Sequence, residues 1–368
     1  MKIRVGTFNV ENLFNRPRAM NQKTWAQGQP MVNAAHELNV LFQKEVYSAS
    51  DKKRMLTLLE KWDLLSIRPK SEYLELRKTR GQLFRVPKSG SPEIVANGRA
   101  DWVGWIDLKT EPIEDEAIAN TARVIAEVNA DVLVVVEVEN RIALQQFHDA
   151  YVAPQMTQLG YQPYRYNMVI DGNDRRGIDV GILSRYPIAL MRSHITDVKD
   201  GQKVFARDCP EYYVTIGDAE IAVLPNHFSS KGSDFRGARR VLQSGRVKEI
   251  YESIRADHEL VVVAGDFNDF PDSGNLDALL KDTDLTDAMA LPEYAGQYPG
   301  TYQRATEKEK IDDLLLSPAL KGKVRKVDVE RRGFYSPKKW TSFANINAQT
   351  KDRFQASDHH CVWADIDL

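Results

Sequence analysis

Cysteine is scarce in this chain. Two in 368 residues, Cys209 and Cys361, leave no disulfide framework and no thiolate zinc site. Cys361 follows His359 and His360, but a nucleophilic thiol needs a partner placed by the fold, and adjacency in sequence does not supply one. No apolar run approaches the ~20 residues of a membrane span. The chain opens on strand-like residues instead of a basic and apolar leader, so the expected setting is the cytoplasm, or a secreted or periplasmic one if a leader has been removed. An excess of one charge is also missing. Fifty Lys and Arg stand against 52 Asp and Glu, for a net charge of -2 and a pI near 6.4. There is thus no overall basic field, and any contact with nucleic acid must be local. Repeats and low-complexity tracts are absent, and 42% hydrophobic with 28% charged residues is ordinary globular usage.

What is present is a set of polar side chains at the ends of apolar strands. In VVVAGDFNDFPDS, residues 261 to 273, the run Val261 to Ala264 reads as a buried strand, Gly265 frees the backbone to turn, and Asp266 and Asn268 follow. Two residues apart on an extended segment, a carboxylate and an amide project the same way, which suits a metal, a proton or an Asp/Asn turn. An EF-hand is excluded, since its positions 5, 6 and 12 hold Phe270, Pro271 and Asp277.

Other strand exits carry similar cargo. KIRVGTF at residues 2 to 8 alternates like a half-buried strand and leads to Asn9, Glu11 and Asn12. Residues 114 to 129 open with three acids and continue at helical spacing, predicting a core-facing helix. Val132 to Val136 then form an apolar strand interrupted by Glu137, a carboxylate that needs compensation, from a metal, a catalytic role or a structural ion pair with an arginine. A helix is expected from Arg141. After it, DGNDRRG brings Arg175, Arg176 and Asp179 beside the next strand, as phosphate contacts or as a plain surface loop. Residues 212 to 228 predict a hairpin turning at Gly217 and Asp218 and ending in Asn226 and His227. Residues 231 to 248 hold six cations, including Lys231 and Arg236, against Asp234 alone, although Val247, Ile250 and Ile254 mark part of the stretch as an amphipathic helix. Residues 284 to 306, with Tyr294, Tyr298 and Tyr302, read as a long surface loop. Asp312 and Asp313 enter one more apolar strand, and Asp358 and His359 precede the last.

Between Asn15 and Pro112 the texture changes. Helices are expected at 34 to 46 and 51 to 65, then strands around QLFRV and ADWVGWIDL, with Arg77, Lys78, Arg80, Arg85 and Lys88 interspersed. No linker brackets the segment, so it reads as an insertion into a single 1–368 domain. Its basic residues with Trp102 and Trp105 form either a nucleic-acid platform or a solvated face over core tryptophans.

The shared position of these groups suggests convergence on one rim of a sheet core. Carboxylates with an asparagine amide and no thiolate suit a hard cation, magnesium or manganese, and such sites most often serve phosphate chemistry. A histidine beside an aspartate would have its tautomer fixed and its charged form stabilised.

TFNVENL, VVVEVEN, LPNHF, AGDFND, IDDLLLS and ASDHH occur in the order and texture of the endonuclease/exonuclease/phosphatase family, which includes pancreatic-type deoxyribonucleases and abasic-site endonucleases. The chain resembles that family over roughly residues 1 to 14 and 114 to 368. The resemblance implies an α+β, four-layer α/β/β/α sandwich of two mixed sheets with helices outside and the active site at one end. It also implies Glu137 as the principal metal ligand with Asn9, Glu11 and Asp358 nearby, and Asp266 to orient or deprotonate the attacking water. Asn268 would bond phosphoryl oxygens, His359 would pair with Asp312 in preference to Asp313, and His227 would touch the scissile phosphate. Asn226, Arg176, Lys231 and Arg236 are expected to contact substrate. Val136, His360 and Cys361 depart from common family residues, and the insertion leaves the substrate open. The leading expectation is a metal-dependent DNA endonuclease, favoured by the basic stretches. The alternatives are a hydrolase of small or lipid-linked phosphates, favoured by the net acidic chain, and a catalytically silent binding module.

Overall fold

The computed structural model describes residues 1–13, 15–19, 25–66, 70–87, 90–174 and 176–368. Lys88 and Arg175 lie outside them. The chain divides into two compact units, Met1–Phe14 with Ile113–Leu368, and Asn15–Pro112.

The larger unit is built on two six-stranded mixed sheets. In the first, Lys2–Asn9 lies between Cys361–Asp367, its antiparallel neighbour from the far end of the sequence, and Val132–Val138, its parallel neighbour. Val324–Glu330 flanks one side, and Asp179–Ser184 with Tyr166–Val169 the other. In the second sheet the hairpin Glu211–Ile216 and Ala219–His227 turns at Gly217 and Asp218, as its sequence predicts. Ala219–His227 then runs parallel to Val261–Asp266, which pairs antiparallel with Asp312–Leu316.

Alternation sorts the side chains into layers. Ile3, Val5, Val132, Val134, Val136 and Ile182 of the first sheet pack against Val214, Ile221, Val223, Val262 and Leu314 of the second. The intervening residues face outward. Leu133 and Val135 meet Ile118, Ala122 and Ile125 of the helix Asp115–Val128, while Leu224, Val261 and Val263 meet Val247, Ile250 and Ile254 of the helix Ala238–Arg255. The architecture is therefore helix, sheet, sheet, helix. Strands covered on both faces have no polar side to show, which is why they read as unbroken Val, Ile and Leu.

Acids in the first turn suit the positive end of Asp115–Val128, and Asn129 closes it in the left-handed conformation at φ 55°. No helix among the described residues is long and apolar enough to cross a membrane.

The smaller unit has its own core. Helices Trp25–Phe42 and Ala49–Lys61 and the pair Leu74–Gly81 and Trp102–Leu108 enclose Leu38, Phe42, Met55, Leu59, Leu74, Trp102 and Ile106. Both helices begin earlier than their apolar periodicity alone indicates. Trp102 is core, but Trp105 is 44% exposed and its indole donates to Asp107. Arg77 pairs with Glu75 and Asp107, and Arg85 with Glu93, so much of this basic character is neutralised locally.

Ile182 is fully buried between the sheets. Ile182→Ala is expected to lower unfolding free energy by about 2–5 kcal/mol, whereas Ile142→Ala, on an exposed helix surface, stays within about 0.5 kcal/mol. Equal denaturation midpoints for the two variants would contradict the inter-sheet core.

Candidate active site

Glu137 reaches the rim through a fault in its strand. Asp179 faces Val138 and Val180 faces Val136, leaving Glu137 as an extra residue in a bulge at φ 69°. Strict alternation would turn Glu137 outward with Leu133 and Val135. The bulge gives that place to Val138, which packs in the outer cluster, and re-aims the carboxylate. Its side chain, 16% exposed, lies with Oε1 3.8 Å from His227 Nε2. Glu11, Asn12 and Asn268 are also left-handed, at φ 51°, 68° and 53°. Such conformations cost free energy and persist where surrounding structure holds them.

Asp266 ends its strand under a constraint that only glycine meets. At φ 142°, a Cβ on Gly265 would stand 1.9 Å from the Asn226 carbonyl oxygen. Beyond it, Asp266 Oδ1 accepts the Asn268 backbone N–H at 2.8 Å and Oδ2 accepts the Asn268 amide at 3.1 Å. The Asn9 amide donates to the same Oδ2 at 3.1 Å, and Asn9 Oδ1 accepts the Glu11 N–H at 3.0 Å. Asn9 is thus engaged at both ends of its amide. Burial raises the Asp266 carboxyl to about 7, opposed by His359 and reinforced by Asp312.

His359 is held from behind. Its Nδ1 lies 2.9 Å from Asp312 Oδ2, leaving Nε2 3.9 Å from Asp266 and 3.8 Å from Asp358. The Ser357 hydroxyl accepts the His359 N–H and donates to the Asn9 carbonyl, tying the histidine to the first strand. Burial alone would lower the imidazolium's pKa, but Asp312, Asp266 and Asp358 carry it well above its ordinary value. His227 is driven the opposite way, by burial and by Arg207, Arg176 and His359, and so stays neutral. Its Nδ1 is buried without a partner, and its Nε2 lies 3.6 Å from Asp266. One histidine is charged and the other is not.

Asp266, Asp312 and His359 present atoms within 4.8 Å of one another. Because Asp312 and His359 already satisfy each other, this trio is a hydrogen-bonded charge network, not an open ligand set. Glu11, Glu137 and Asp358 line one cleft of about 380 Å³ with Asp266, Asn268 and both histidines. Burial, then Glu11, push the Asp358 carboxyl up to about 7. The all-oxygen donors of these three acids fit a divalent cation.

Of the expected substrate contacts, Arg176 and Lys231 line the cleft, whereas Asn226 and Arg236 do not. Asn226 turns inward and donates to the Leu224 carbonyl at 2.9 Å, and Arg236 stands exposed. The basic stretch is not the free positive surface its composition suggests. Arg240 pairs with Asp269, Arg246 with Asp197 and Glu249, Lys248 with Glu252, and Lys231 with Asp269. Asp312 and Asp313 separate as strand alternation requires, with Asp313 and Asp287 flanking buried Lys310, whose Nζ also donates to the Asp312 carbonyl at 2.7 Å.

Sequence reasoning missed three contributors. Tyr302 is not on a surface loop: it lines the cleft, its ring lies 4.8 Å from that of His359, and it hydrogen-bonds Asp358. Thr301, fully buried, accepts the Asp312 N–H at 2.9 Å. Arg207, buried, shares Asp174 with Arg176. A threonine and tyrosine shortly before the Asp312 strand, and an aspartate among arginines, were the available signals.

Residues 114–359 match the Endonuclease/Exonuclease/phosphatase family. No curated protein matches the chain. Among solved structures, truncated TDP2 of Caenorhabditis elegans is 17% identical, covering 68% of this chain and 90% of its own, with a TM-score of 0.46. A mannosyl-6-phosphatase of Bacteroides thetaiotaomicron is 15% identical over 69% and 91%, with a TM-score of 0.46. The human Nocturnin catalytic domain with bound sulfate is 14% identical over 70% and 88%, with a TM-score of 0.47. The match to the family spans well over half of the sequence, and this chain belongs to the Endonuclease/Exonuclease/phosphatase family, whose members are hydrolases of phosphoester bonds.

Proposed function

We propose that this protein hydrolyses phosphodiester bonds in nucleic acid, DNA before RNA, by in-line attack of a water on phosphorus. The observation that carries the reading is the meeting, in one cleft, of a near-neutral carboxyl at Asp266, a charged histidine at His359 and a neutral one at His227.

The family depends on a divalent metal. Glu137, Glu11 and Asp358 would hold it, and the all-oxygen donor set favours magnesium or manganese. Asn9, placed among the ligands by family position, is better suited to holding Asp266 and the Glu11 backbone. The chemistry such a cation supplies when bound is neutralisation of charge on the phosphoryl oxygens.

The remaining work falls to the chain's own residues. Asp266, close to neutrality and steadied by Asn9 and Asn268, takes a proton from the attacking water. Protonated His359, backed by Asp312, faces the oxygens where negative charge builds. Neutral His227 donates from Nε2 toward the phosphate, and Asn268 adds an amide donor. Arg176 and Lys231 draw the anion in. A second reading, hydrolysis of a small phosphate ester, draws support from the internal pairing of the basic stretch.

Plasmid, single-stranded DNA, RNA and a simple phosphate ester, each incubated with Mg²⁺ or Mn²⁺ with and without chelator, separate the two. Chelator-sensitive cleavage of the polymers is expected. Turnover of the simple ester alone selects the second reading, and inertness toward all four removes both.

Asp266→Asn and His359→Ala are each expected to lower kcat by roughly 10²-fold or more with the fold retained. Near-normal turnover in both would refute the roles given to them. Metal binding should also release protons. Asp266 and Asp358 are both held near 7 when no cation is present, so they are largely protonated at pH 6 and largely charged at pH 8.5. Magnesium affinity should therefore rise with pH through about 7. Calorimetry in buffers of different ionisation enthalpy should find more protons released at pH 6 than at pH 8.5, and a smaller release for Asp358→Asn. Equal release at both pH values would contradict this account of the carboxylates.

A further inference from the structure

Phe235 is 92% exposed, and among the aromatic residues whose side chains are described the next most exposed is Trp105 at 44%. An aromatic ring left almost wholly in water gains nothing from folding, and its position here is specific. It lies four residues after Lys231, and Ser230 and Lys231 line the catalytic cleft. Four residues of chain span at most about 14 Å, so the ring stands near the mouth of the cleft.

The segment that carries it is braced. Ser233 and Asp234 donate backbone N–H groups to the Ser230 carbonyl at 3.0 and 2.9 Å, and Gly237 donates to Asp234 at 3.0 Å. The Asp234 carboxylate accepts the Arg239 and Arg240 backbone N–H groups at 2.9 and 3.0 Å, and buried Arg240 is anchored to Asp269 at 2.8 Å. Lys231 lies against Asp269 and over the Phe270 ring, 4.5 Å from its centroid. Arg236, next to Phe235, is exposed and makes no ion pair among the described residues, whereas Arg240, Arg246 and Lys248 do and the Arg239 guanidinium donates to the Lys203 carbonyl. An exposed aromatic face on a braced segment, beside a guanidinium without an ion pair and a few residues from a phosphoester site, matches a strand whose bases are free to stack and whose backbone is anionic.

We propose that Phe235 is a stacking platform for an unpaired nucleobase near the scissile phosphate and that Arg236 contacts an adjoining phosphate, which makes single-stranded nucleic acid the preferred substrate. The inference rests on the reading of the site as a nucleic-acid phosphodiesterase. The stack forms only with a base that is out of a duplex, so strand separation, not base identity, governs the preference.

A two-by-two comparison tests it. Wild type and Phe235→Ala are assayed with Mg²⁺ on a single-stranded oligonucleotide and on a deoxyribose-phosphate oligomer of equal length that lacks bases. Binding of the same fluorescently labelled oligomers is measured by anisotropy. The substitution is expected to lower kcat/KM on the base-bearing strand about tenfold, chiefly through KM, and removal of the bases is expected to cost wild type a similar factor. The two losses should not add when combined. Phe235→Trp should restore tight binding. Arg236→Ala should reduce the slope of log K against log salt by about 0.7. Losses that multiply, or a Phe235→Ala variant indistinguishable from wild type on both oligomers, overturn the stacking role while leaving the phosphodiesterase reading intact. A wild type that cleaves neither oligomer but turns over a small phosphate ester overturns both.

Discussion

Everything at this site depends on holding two sheets in fixed register across their shared core. Asn9, Glu11, Glu137, Asp358 and His359 leave the first sheet, while His227, Asp266, Asn268 and Asp312 leave the second. The pairs that matter cross between them: Asn9 to Asp266, and His359 to Asp312. A hydrogen bond weakens within a few tenths of an ångström, so the Val, Ile and Leu side chains between the sheets set the chemistry as much as the polar groups do.

Burying so many ionisable groups is costly unless each has a partner of the right sign. The rim meets this by alternating charge through space. Asp312 stands behind His359, Lys310 behind Asp312 and Asp313, and Asp174 between Arg176 and Arg207. At the cleft itself Asp266 and Asp358 share the one imidazolium of His359, at 3.9 and 3.8 Å, and Glu137 faces neutral His227. Burial holds the Asp266 and Asp358 carboxyls at about 7 despite that cation, and acids perturbed in this way cluster at working sites.

Much of this was legible in the sequence because the informative residues are chemical anomalies in regular patterns. Glu137 in a valine run and Asp266 after a glycine stand out, and alternation gives the layers. Less legible was anything decided by partners far away in the chain. The bulge at Glu137 depends on how Asp179 and Val180 pair with that strand. The basic stretch looked free because Asp197 and Asp269, which neutralise Arg246 and Arg240, lie outside it. Tyr302 read as a loop residue because the contact that gives it meaning, with His359, spans 57 positions.

The first strand is zipped to Cys361–Asp367 and to Val132–Val138 in one sheet. Its neighbour on one side is therefore made some 350 residues after it, and at about 5–20 residues per second a ribosome takes roughly 20 to 70 s to cover that gap. Through that interval Asn9 has no His359 to face, and the cleft is not yet formed. Topology alone thus delays completion of the cleft in the growing polypeptide until that closing strand is delivered.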